Sequence, residues 1–137
     1  MFLADRKDHV ENVIIPELNK GNIIILDRYK YATVCYQHLQ GFDINMLVKR
    51  NDFPAPDIAF IINAKYHILK NRIKQRNIKL EIFETDDFLK KSIDLYKKMG
   101  EFFPKEFFIF VDADKCPDDL KEIIIKHIID KIKTIES

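Results

Sequence analysis

Three short apolar runs that do not alternate with polar residues most constrain what this chain can fold into: Ile23-Ile24-Ile25-Leu26, Ile58-Ala59-Phe60-Ile61-Ile62 and Phe107-Phe108-Ile109-Phe110-Val111. A strand with one wet face alternates apolar and polar side chains, whereas a strand buried on both faces is apolar throughout. Strands of the second kind belong to parallel sheets, whose members are joined by long and usually helical crossovers. The segments between the runs meet that need. From about Leu3 to Lys20, Val10, Val13, Ile14 and Leu18 recur at helical spacing, with a kink expected near Pro16 and an end at Gly21. Tyr29 to Gln40 reads as a helix, and Asp43 is placed to cap a second one reaching about Arg50. Pro54-Ala55-Pro56 is a rigid connector. Helices are expected again over Lys65–Gln75, from a cap at Asp86 or Thr85 to about Phe102, and from Pro117, with Asp118 and Asp119 in its first turn, to about Thr134. Residues 76–85 carry no clean period and read as a loop or cap. The expected fold is α/β, a parallel sheet flanked by helices, in one domain spanning residues 1–137. Three strands are few for such a sheet, which makes the architecture incomplete.

Composition excludes several classes of function. The 23 basic and 22 acidic side chains nearly cancel, so there is no uniform positive field to gather nucleic acid. Cys35 and Cys116 form no CxxC pair and have no adjacent His-x-His cluster, so reduced thiols rather than a zinc site or a disulfide framework are expected. No uncharged stretch reaches the roughly 20 residues that span a bilayer. A charged amino terminus takes the place of a signal core, which leads to an expectation of a cytoplasmic protein with no membrane partner. Glycine is scarce: Gly21, Gly41 and Gly100 are the only three, and none lies in GxxxxGK[ST] or GxGxxG. These residues therefore encode no backbone cradle for a polyphosphate.

In open α/β sheets, ligands collect at the carboxyl ends of the parallel strands. Two such ends carry charge, Asp27-Arg28 and Asp112-Ala113-Asp114-Lys115. A carboxylate beside a guanidinium at a strand end can hold hydrated magnesium and grip a phosphate with paired hydrogen bonds. It can equally be a salt-bridged strand terminus.

The wider pattern resembles the thymidylate kinase family. Phe2-Leu3-Ala4-Asp5-Arg6 opens a helix, Ile24-Ile25-Leu26-Asp27-Arg28-Tyr29 follows, and Thr33-Val34-Cys35-Tyr36-Gln37 lies in the next helix. Pro56-Asp57 before a strand, an Arg-rich lid ending in Phe83-Glu84, Tyr96 and Val111-Asp112-Ala113 come in the family's order. The resemblance implies ATP-dependent phosphorylation of dTMP or a related pyrimidine nucleotide, with magnesium, in a homodimer. It implies a monophosphate site within residues 1–40, where Phe2 stacks on the base, Arg6 donates to a base carbonyl and Arg28 holds the phosphate. Asp27 is implied near the magnesium through water, and Thr33, Tyr36, Gln37 and Tyr96 line the nucleoside. Arg76 and Lys79, in a lid over about 72–85, are implied to meet the transferring phosphates, with Arg72 a further candidate. Asp112 and Lys115, in a loop over 112–116, are implied to border adenine.

The departure from the family is the phosphate loop, which the family carries upstream of the helix that Phe2 opens here. Without its amides, lysine and hydroxyl most of the phosphoryl-transfer apparatus is missing, so these residues alone are expected to be a poor kinase. A piece of an ordinary kinase, half of a split enzyme, a non-catalytic nucleotide-binding or dimer-docking remnant, and a kinase of other nucleosides or monophosphates all stay open. A sheet short of a strand exposes apolar edges, and association is expected from that.

Overall fold

A computed structural model describes residues 2–75 and 86–136, and within it the chain divides into two compact units, Met1–Pro54 and Ala55–Ser137. The boundary falls inside Pro54-Ala55-Pro56.

The first unit is helical. Helix α1 spans Phe2–His9, a π-helical turn follows over Val10–Ile14, and α2 spans Ile15–Asn19. The wide turn has a cause in Pro16, which donates no hydrogen bond and crowds the carbonyl four residues earlier; the ladder accommodates it with an Ile15 N–H to Val10 C=O bond one residue longer than the α-helical pattern. The kink expected near Pro16 takes this form. Helix α2 ends in Gly21 at φ +84°, with Gly21 N–H donating to Leu18 C=O and Asn22 N–H to Glu17 C=O. The same closure ends α3 (Lys30–Leu39), where Gly41 has φ +109°. At both places a left-handed residue satisfies carbonyls that the helix leaves open, which suits glycine. Helix α4 spans Ile44–Arg50 and starts as expected on Asp43, whose carboxylate accepts from Met46 N–H at 3.0 Å. Helices α3 and α4 pack together, and Val10, Ile14, Tyr31, Val34, Cys35 and Leu47 form the buried apolar set of this unit.

The strand expected at Ile23–Leu26 is absent. The segment has no regular secondary structure and pairs with no strand among the described residues, and Ile25 is 81% exposed. A β-branched run supplies strand propensity, yet a strand exists only with a neighbour to share its N–H and C=O groups. The one sheet of the described residues is closed between two strands of the other unit.

That second unit contains β1 (Ala59–Asn63), α5 (Tyr66–Gln75), α6 (Asp86–Lys97), α7 (Met99–Phe102), β2 (Phe108–Asp112) and α8 (Pro117–Glu136). Strands β1 and β2 pair in parallel, with Ala59 beside Phe108 and Asn63 beside Asp112. The α/β expectation therefore holds, with two strands rather than three among the described residues. Helix α6 packs on β1, and Ala59, Ile61, Leu89, Met99, Phe103, Val111 and Ala113 are buried. Helix α8 opens on Pro117 with Asp118 and Asp119 in its first turn, where carboxylates complement the positive helix end.

Candidate functional site

In the first unit the chain leaves the irregular Ile23–Leu26 segment, bends at Asp27-Arg28 and enters α3. Arg28 has φ +55°, the only positive φ outside glycine among the described residues. For a residue with a Cβ this conformation costs about 1–2 kcal/mol, so the surroundings must impose it, and such residues gather at functional sites. Both Asp27 and Arg28 side chains are exposed.

The support for the bend lies just behind it. Tyr29, which precedes the first residue of α3, donates its hydroxyl to Pro54 C=O at 3.0 Å. Lys30 is 2% exposed and donates from Nζ to Phe53 C=O at 3.0 Å, with the Nζ 5.9 Å and 5.7 Å from the ring centres of Tyr29 and Tyr31. The two tyrosine rings meet edge to face with centres 6.2 Å apart. Neither Tyr29 nor Lys30 was among the sequence-derived site residues. The signal was present, because Lys30 falls on the same helical face as Thr33 and Val34, both buried.

Arg6, on α1, reaches α3: its Nη2 donates to Thr33 Oγ1 at 2.8 Å, and its guanidinium carbon lies 5.4 Å from the Tyr29 ring centre. Its Nε is buried and has no hydrogen-bond partner among the described residues. Burial lowers the Arg6 pKa below the ordinary guanidinium value, an effect that Tyr29 partly offsets. An N–H in that condition favours an added acceptor, since an unmet buried donor costs about 1–3 kcal/mol. Thr33 is 8% exposed, while Tyr36 and Gln37, one turn further along α3, are half-buried. Phe2 opens α1, but its side chain lies outside the described residues. The structure thus joins Arg6, Thr33 and the Asp27–Tyr29 bend within one unit.

The remaining candidates belong to the second unit or fall outside the description. Arg76 and Lys79 lie outside the described residues. Tyr96 is half-buried on α6. Asp112 ends β2, and its carboxylate accepts from Asp114 N–H at 3.0 Å. Lys115 is exposed in the following loop. Arg72, on α5, donates from Nη2 to Ala113 C=O at 2.8 Å, and Lys65 pairs with Asp114 at 3.6 Å. Arg72, a further lid candidate in the sequence, ties α5, the helix leading into residues 76–85, to the loop after β2. Among the described residues no three His, Cys, Asp or Glu side chains gather as a metal cage. A lone exposed carboxylate such as Asp27 fits magnesium of the kind held mainly by phosphate oxygens and water.

Parallel strands flanked by helices, with charged residues just past β2, make this an α/β chain of incomplete kinase-like architecture. The thymidylate kinase family model matches residues 1–124. The chain is 36% identical over 106 residues to a probable thymidylate kinase of Pyrococcus horikoshii, covering 77% of this chain and 52% of that protein. It is 32% identical over 126 residues to a probable thymidylate kinase of Thermococcus gammatolerans, covering 91% and 60%. It is 33% identical over 133 residues to a thymidylate kinase of Rickettsia bellii, covering 92% and 64%. The chain belongs to the thymidylate kinase family. It spans about half the length of the Pyrococcus relative and under two thirds of the other two. No helix among the described residues is long and apolar enough to cross a membrane.

Proposed function

We propose that these residues form the monophosphate-binding and lid-bearing part of a dTMP kinase. The observation that carries this reading is the 2.8 Å bond between Arg6 and Thr33. Two family motif positions far apart in sequence meet there, beside the bend that presents Arg28. Arg6 is proposed to donate to a base carbonyl. Tyr36 and Gln37 follow on α3 to line the sugar, and the Arg28 guanidinium offers paired donors to a phosphate monoester. Phe2, at the start of α1, is proposed to stack on the base.

Magnesium, when bound, would supply positive charge to the phosphate oxygens of the reacting nucleotides. Asp27 is proposed to orient that ion through water. Arg76 and Lys79 are proposed to meet the charge that develops on the phosphoryl oxygens, and Asp112 and Lys115 to border the adenine. Turnover further requires a polyphosphate cradle, which these 137 residues do not encode. A cytoplasmic setting and pairing with a second copy complete the proposal.

Isothermal titration of this chain with dTMP and with ATP tests the reading. The expected outcome is measurable dTMP binding with far weaker ATP binding. A chain that binds neither nucleotide would sink the site assignment, and one that binds ATP alone would move the site to the second unit.

A further inference from the structure

We propose that Lys30 is a positioning residue of the monophosphate site, holding Arg28 in its left-handed conformation by clasping the Phe53–Pro54 backbone. The inference rests on the preceding reading of Arg28 as the phosphate ligand. A side-chain nitrogen is costly to bury, and in a helix start that could be wholly apolar nothing in packing alone calls for one. Here the nitrogen donates to a backbone acceptor, Phe53 C=O at 3.0 Å, while the neighbouring Tyr29 hydroxyl takes the next carbonyl, Pro54 C=O, also at 3.0 Å. Two consecutive side chains thereby hold two consecutive carbonyls of a segment more than twenty residues away. Both anchors sit immediately after Arg28, whose φ of +55° needs external support.

The geometry separates the two roles. Lys30 is 2% exposed and donates to Phe53 C=O, so it is not placed to touch a ligand, whereas Arg28 is exposed. Tyr29 links the clasp to the base side as well, since the Arg6 guanidinium carbon lies 5.4 Å from its ring centre. Small misplacements of a charged ligand-gripping group are enough to cost binding strongly.

The test is Lys30→Met, which keeps the volume and removes the donor, compared with the unaltered chain by NMR and by titration. The expected result is a shift of the Arg28 backbone resonances away from left-handed values and about a tenfold weaker affinity for dTMP. Thymidine, which lacks the phosphate, should bind as before. Tyr29→Phe, which deletes only the hydroxyl bonded to Pro54, is expected to move both readings in the same direction by less, and it supplies the comparison should Lys30→Met fail to fold. Unchanged Arg28 resonances in the variants overturn the clasp whatever the ligands do. Equal losses for dTMP and thymidine reduce Lys30 to general support and overturn the positioning role. If the unaltered chain binds no dTMP, the site reading falls and this inference with it.

Discussion

Arg6, Arg28 and Arg72 carry the same group and do different things, and local surroundings decide which. Arg6 is half-buried against Thr33 and Tyr29, Arg28 is exposed on a strained bend, and Arg72 donates to Ala113 C=O. The sequence alone could rank them only through family resemblance, because burial and backbone conformation are set by residues distant in the chain. Lys30 escaped notice for the same reason: its acceptor, Phe53 C=O, has no signature in side-chain identity. The distinction has a measurable outcome. Arg28→Ala is expected to weaken dTMP binding by about 1.5–3 kcal/mol, the worth of hydrogen bonds to a charged group, as read by titration calorimetry. Arg72→Ala should leave dTMP affinity within about twofold, since its bond belongs to the loop after β2. Equal and small effects would remove Arg28 from the site.

Elements with local causes were legible, and those with distant partners were not. Asp43 before α4, Pro117 with two aspartates in α8, and the glycine closures at Gly21 and Gly41 each act within a few residues. Helical periodicity placed α3 and α5 within a residue or two of their ends, and the non-alternating runs gave β1 and β2. The same rule misread Ile23–Leu26, where strand propensity is plain but a ladder partner is absent among the described residues. At this scale Asp43→Ala should cost about 1 kcal/mol, because the Met46 N–H loses its acceptor at the exposed start of α4. Chemical denaturation followed by circular dichroism would register this as a lower midpoint with an unchanged slope.

For the whole molecule the dominant fact is how much large apolar surface faces outward. Ile23, Ile25 and Leu26 are exposed along one segment that pairs with no strand among the described residues, and Ile62, Phe110, Ile125 and Ile129 are exposed in the second unit. Extended apolar edges invite pairing with another chain, and a single lysine on such an edge discourages it. Ile25→Lys is therefore expected to reduce concentration-dependent self-association in sedimentation experiments while leaving the helical circular dichroism unchanged. Association equal to that of the unaltered chain would place the sticky surface elsewhere, with the isoleucines of α8 next in line.

The left-handed backbone at Arg28 makes position 28 answer two questions with opposite rankings. In a scan of all twenty amino acids, folding stability should rise toward glycine and asparagine, which tolerate φ near +55°, and fall steeply for valine and isoleucine. Nucleotide retention should rank arginine first, with lysine next and glycine among the worst. A position where the most stable variant is also among the least competent marks a residue kept for what it holds, at a standing cost to the fold that carries it.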